Sequence, residues 1–292
     1  MVTLLRYAKQ INRNYIGNMP YMARAQDHDT YDGLVAFAKK IELDMIDFHV
    51  MGTLQERGFL RDLKYKCLRA GLPIGYFASG VSLVGPAEQR SERLARAKGD
   101  TDAAAYVGAQ VVHVFARHKW PETEEEQELF WQPMIEDFQE LADYAAARGV
   151  VVSLQNHNHG SFAMNADQVL RILHDVGRRN FTYILDTGQW EGARGGSPRG
   201  WHNTELDIYR EHHARVAPYA TCLRAKIYKI DNGYEEWLDY PRIFRMMCDA
   251  DYNGAVSICF EGGDPPRNRF DRNDCIAMGA TYLRECIRRA YA

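Results

Sequence analysis

A chain of 292 residues, 46% of them hydrophobic, can bury a full α/β core as one large barrel or as two ordinary domains. The formal charge of −3 and a pI near 6.4 create no strong field for nucleic acid or an anionic membrane, so neither partner is expected. Six cysteines without a Cys-x-x-Cys pair point to reduced thiols in a cytoplasmic protein. The N-terminal residues lack the apolar core of a signal peptide, and no apolar run reaches membrane-spanning length.

Short β-branched or apolar runs alternate with longer stretches of helical period. Strands are predicted at 14–19, where the signal is weak, and at 44–50, 72–78, 109–116, 149–155, 181–186, 220–228 and 254–260. Between them, Leu34, Phe37, Ala38 and Ile41 share one helical face. So do Phe130, Met134, Phe138, Leu141 and Ala145, and later Ile276, Ala280, Leu283 and Ile287. Gly71 and Gly149 stand between a helix end and the next strand, as C-terminal caps do. Eight alternations with no linker predict an α/β fold with a single (β/α)8 TIM-barrel domain over residues 1–292. A doubly wound open sheet is the alternative, but no glycine-rich turn follows the first strand. Two long connections, at about 117–126 and 187–203, each follow a strand, which in a barrel places them at the catalytic face. The second carries Trp190 and Trp201 among glycines and suits a lid or a binding wall.

Three apolar runs end in residues that ligate or exchange protons. The run at 149–154 leads into Gln155-Asn156-His157-Asn158-His159, the run at 183–185 into Asp186, and the run at 256–260 into Glu261. Fully buried barrel strands read this way when they deliver side chains at their C-terminal ends. A carboxylate at such a position needs a cation or hydrogen-bond donors. A hard divalent ion such as Mn²⁺ or Mg²⁺ is one solution. Arg224 and Lys226 on the seventh strand are the other. The histidines His113, His157 and His159 titrate near neutrality and suit acid or base work.

In this order the motifs Leu-Gln-Asn-His-Asn, Leu-Asp-Thr-Gly-Gln, Leu-Arg-Ala-Lys and Phe-Glu-Gly resemble the xylose-isomerase-like superfamily of sugar isomerases and epimerases, from about Tyr31 to Ala290. That resemblance implies one divalent metal held by Glu, Asp, His and Glu, the two glutamates moving protons between adjacent sugar carbons. Asp186 and Glu261 match two of those ligands. Gln155 stands where the first Glu is expected, Arg224 where the His is expected, and Gln189 replaces a substrate-facing His. Gln155 can ligate through its carbonyl oxygen but cannot accept a catalytic proton, and Arg224 stays protonated.

The resemblance therefore implies an isomerase or epimerase acting on a small carbohydrate. Glu261, His113 and His157 are the candidate catalytic residues. Gln155, Asp186 and Glu261 are the candidate ligands for Mn²⁺ or Mg²⁺. Gln189, Trp190, Arg224, Lys226 and His159 are the candidate substrate contacts. Loss of the second glutamate also fits β-elimination from a keto-sugar, keto-inositol or oxidised glycoside, and two changed ligand positions fit a non-catalytic sugar-binding barrel. Dimers and tetramers are usual in the resembled family, so a homo-oligomer is the matching expectation, on which the sequence itself is silent.

Overall fold

The computed structural model describes residues 16–18, 28–49, 57–118, 123–195, 202–262 and 268–291. Each predicted strand appears, trimmed or extended by a few residues: β1 (Ile16–Asn18), β2 (Ile46–His49), β3 (Ile74–Ser82), β4 (Val111–Phe115), β5 (Val151–Gln155), β6 (Phe181–Asp186), β7 (Ala220–Ile227) and β8 (Ala255–Phe260). All pairings are parallel, in the order β1-β8-β7-β6-β5-β4-β3-β2. The first strand pairs with the last, Ile16 opposite Val256, and β1 also lies beside β2. The sheet therefore comes round on itself as a TIM barrel, which an open doubly wound sheet does not do.

The helices between the strands are α1 (His28–Lys40), α2 (Arg57–Ala70), α3 (Arg90–Val107), α4 (Glu124–Ala146), α5 (Ala166–Val176), α6 (Ala214–Val216, entered through a π turn at Tyr209–His213), α7 (Tyr240–Asp249) and α8 (Arg272–Ala290). Local chemistry sets their ends. Thr123 accepts the Glu126 N–H to open α4, and Asn165 and Gln168 form a reciprocal capping box on α5. Gly71 and Gly149 adopt φ of +69° and +68°, the left-handed geometry expected of caps there.

Strand alternation divides the side chains into two populations. Leu154, Leu185, Leu223, Ile227 and Ile258 face outward and join Phe138, Leu141, Ile172, Phe244 and Leu283 of the helices in one continuous apolar layer. Each such side chain removed from water contributes roughly 1.5–3 kcal/mol. The alternate residues face the barrel axis, and there the composition changes. Tyr76, Ala78, Ile184 and Cys222 form a small separate apolar cluster. Around it lie buried polar groups from β4 to β8: His113, Ser153, Gln155, Asp186, Arg224, Lys226 and Ser257. Stability is carried by the outer layer, which leaves the lumen open to charged chemistry.

The connections after β4 and β6 run through 116–123 and 187–208, of which 119–122 and 196–201, including Trp201, lie outside the described residues. The connections after β5, β7 and β8, at 156–165, 228–239 and 261–271, are of comparable length and were not anticipated. All six cysteines are free thiols, and no described helix is long and apolar enough to cross a membrane.

Candidate active site

The C-terminal ends of β5 to β8 bring four charged groups and two amides together. Period-two spacing puts Arg224 and Lys226 on the same inward face of β7, while register sets Asp186 opposite Arg224 and Lys226 opposite Cys259. Lys226 Nζ lies 3.3 Å from Asp186 Oδ2 and also donates to Glu261 Oε1. Arg224 Nε is 3.6 Å from the same Asp186 oxygen, and its terminal nitrogens donate to Gln155 Oε1 and, at 3.3 Å, to Cys259 Sγ. Gln155 Nε2 donates to Asp186 Oδ2 at 2.8 Å, and Gln189 Nε2 to Glu261 Oε2 at 3.3 Å. All six side chains are buried. Asp186 and Glu261, remote in sequence, share one ammonium.

Burial pushes the Asp186 carboxyl up from its ordinary range, while Lys226 and Arg224 pull it back toward the charged form. Burial works against the Lys226 ammonium, yet the surrounding negative groups, Asp186 foremost, outweigh it and hold the amine above its usual value. Two carboxyl groups and two basic groups thus face one another inside the barrel. A buried pair of this kind adds little net stability over an apolar replacement, but removing one member leaves its partner uncompensated.

The surrounding residues fix this geometry. Asn156 accepts from the Tyr183 hydroxyl at 2.6 Å and the Asp186 N–H at 2.9 Å, and donates to the carbonyls of Asp186 and Gln189 at 3.0 Å each. It ties the end of β5 to the end of β6. Its positioning role was not anticipated. The only sequence signal was an amide beside Gln155 at a strand end. Gly262 follows Glu261 so closely against β7 that a Cβ there would stand 2.3 Å from the Tyr228 carbonyl oxygen.

The histidines come from β4 and from the connection after β5. His113 is fully buried one inward position deeper on β4 than Phe115, its ring 4.3 Å from the Phe115 ring and 6.0 Å from Tyr76. His157 stands above, edge-on to Phe115 at 5.7 Å, and pairs its Nδ1 with the His159 carbonyl at 3.2 Å. That contact makes Nδ1 the protonated nitrogen and Nε2 the acceptor. Burial, then the charges of His159, Arg117 and Lys226, lower its pKa to about 2, so the ring is neutral at physiological pH. His159 is exposed, its ring 4.2 Å from that of His157. Trp190 is fully buried behind the loop, stacked on His212 at 5.0 Å with its edge toward His213 at 5.8 Å. Of the residues singled out from sequence, Gln155, Asp186, Gln189, Arg224, Lys226 and Glu261 converge. His157 and His159 flank them, and His113 and Trp190 lie in other layers.

The donor set does not fit a divalent ion. Gln155, Asp186 and Glu261 are adjacent, as a metal reading requires, but the Gln155 oxygen is engaged by Arg224, and the Lys226 ammonium bridges the two carboxylates. Among the described residues no group of three or more His, Cys, Asp or Glu side chains is arranged to hold a metal.

Residues 35–286 match the family model of the xylose isomerase-like TIM barrel, and the chain belongs to that family. Among solved structures it is similar to a xylose isomerase-like TIM-barrel protein from Mycobacterium smegmatis in complex with magnesium, at 17% identity and TM-score 0.69 over 95% of this chain and 97% of that one. It is similar to 3-keto-D-glucoside 4-epimerase from E. coli, at 16% identity and TM-score 0.70 over 94% and 99%. It is also similar to D-psicose 3-epimerase from Clostridium cellulolyticum, solved with D-tagatose, at 13% identity and TM-score 0.68 over 94% and 98%. No curated protein matches the chain in sequence. At these identities the structural likeness establishes the shared fold.

Proposed function

We propose that this protein is an isomerase acting on a small sugar or sugar derivative, through proton abstraction next to a carbonyl. The observation that carries this reading is the convergence of Asp186 and Glu261 on one buried cation at the C-terminal end of the barrel, where this fold places its chemistry. The similarity to epimerases of keto-sugars supports the substrate class.

Glu261 is the base. Its Oε2, facing Gln189, takes the proton from the carbon beside the carbonyl, and the electron pair moves into an enediolate. Gln155 cannot act as a second base from the opposite face. The proton of the neighbouring hydroxyl passes to the former carbonyl oxygen within the enediolate, and the Glu261 carboxylic acid returns its proton, on the face from which it came, to the former carbonyl carbon as the new carbonyl forms. This one-base geometry favours aldose–ketose exchange over inversion at a single carbon. His157, neutral and with Nε2 as acceptor, orients a substrate hydroxyl. Gln189 Oε1, a buried acceptor without a partner among the described residues, is suited to receive another.

A single base also suits β-elimination, in which the pair expels a β-substituent. Product mass separates the two reactions, because elimination changes it and isomerisation does not. The deciding experiment incubates the protein with a panel of ketoses, aldoses and keto-glycosides in deuterated water, with and without Mn²⁺. Deuterium should enter the product at a carbon next to the carbonyl, and Glu261→Gln should abolish incorporation while leaving the circular dichroism spectrum unchanged. Equal incorporation by wild type and Glu261→Gln refutes the assignment.

A further inference from the structure

We infer that Lys226, supported by Arg224, takes the place of a divalent ion in this centre, so that the protein carries its own permanent cation between Asp186 and Glu261. Three observations converge on it. Lys226 Nζ reaches both carboxylates at once, at 3.3 Å from Asp186 and in a direct bond to Glu261, the bridging position a metal would occupy. Arg224 reaches Asp186 from another side at 3.6 Å and engages the oxygen of Gln155, which removes the neutral ligand a metal would use. The two acids and two bases are buried together. A divalent ion entering this cluster would lie against the Lys226 ammonium and the Arg224 guanidinium, with little water to screen the repulsion.

The ammonium is a compact point charge with three donors, able to hold two carboxylates and oppose an anion. In the isomerase reading, on which this role rests, it stabilises the negative oxygen of the enediolate in a water-poor site. Occupancy of the cation position is a separate matter, read without turnover.

The test uses the full chain, stripped with EDTA and titrated with Mn²⁺. Free Mn²⁺ is followed by electron paramagnetic resonance and unfolding by thermal denaturation. Wild type should bind no Mn²⁺ at this centre and show the same Tm with EDTA and with Mn²⁺. Lys226→Ala should unfold at lower temperature, bind one Mn²⁺ and recover Tm when the ion is added, and the further change Asp186→Asn should erase that recovery. Binding of one Mn²⁺ by wild type that is lost in Asp186→Asn overturns the inference. A folded Lys226→Ala that ignores Mn²⁺ also overturns it. If Lys226→Ala does not fold, the wild-type titration decides alone. A wild type that neither binds Mn²⁺ nor exchanges deuterium sinks the isomerase reading and leaves this one standing. Exchange that appears only with bound Mn²⁺ does the reverse.

Discussion

Gln155 turns its amide nitrogen, not its oxygen, toward Asp186, 2.8 Å from Oδ2. The partners fix that orientation. Arg224 donates to the opposite oxygen, and the reverse arrangement would set an oxygen against a carboxylate and an NH₂ against a guanidinium. Gln155 is a neutral link between a buried anion and a buried cation. Gln155→Glu should therefore destabilise the protein, because it places two carboxylates in contact and removes a donor from Asp186. The expected loss is about 1–3 kcal/mol, read as a lower urea midpoint with unchanged slope. An unchanged midpoint would show that Arg224 neutralises the added carboxylate.

Gly262 lets the end of β8, which carries Glu261, lie close against the chain leaving β7. A Cβ at this position would meet the Tyr228 carbonyl oxygen and the Asn268 amide, each at 2.3 Å. The first is backbone and cannot rotate away, so Gly262→Ala must push the end of β8 from the end of β7. Turnover should fall at least about tenfold, as expected when a reacting group is misplaced, and mainly in kcat. A variant that loses stability but keeps kcat would limit Gly262 to packing.

The sequence revealed the barrel because its strands are buried on both sides and bounded by capped helices, a pattern that survives without any knowledge of contacts. It also revealed Asp186 and Glu261, since a carboxylate after an apolar run has few ways to be accommodated. It left open whether a metal or a basic side chain balances them. That depends on whether Lys226 and Arg224 point inward together, and therefore on β7 register against β6 and β8, a property of pairing rather than of local pattern. Trp190 shows the complementary difficulty. A tryptophan in a glycine-rich loop reads alike whether it faces a ligand or folds back under the loop.

Asp47 provides a test of the polar lumen. It is fully buried on β2, with Oδ1 accepting the Tyr76 N–H at 2.8 Å and Oδ2 without a hydrogen-bond partner among the described residues. Burial raises its pKa to about 6, against weaker lowering by Ser257, the Tyr76 N–H and Arg224. The folded state then holds a proton that the unfolded chain releases at lower pH. Asp47 therefore destabilises the fold above about pH 6, and the penalty fades as pH falls through the window between 6 and the ordinary value of 3.8. Asp47→Asn should be the more stable protein at pH 7, by on the order of 3 kcal/mol, with the difference shrinking toward pH 4. Denaturant midpoints of both proteins across that range decide the matter, and a constant difference would show that Asp47 does not titrate there.

Trp190 separates packing from substrate contact. The indole is fully buried among Tyr183, His212 and His213, and joins the outer apolar layer rather than the ion cluster. Trp190→Ala should cost about 3–5 kcal/mol, the range for emptying a large aromatic site. Trp190→Phe keeps a ring against His212 and should cost less. Since Nε1 has no hydrogen-bond partner among the described residues, that exchange forfeits no polar contact. With an accepted sugar identified by deuterium exchange, Trp190→Phe should leave KM within about twofold, because a residue that packs behind the loop supplies no direct binding energy. A rise in KM of tenfold or more with the denaturation midpoint intact would instead place the indole against the substrate and require the loop to turn over when the site is filled.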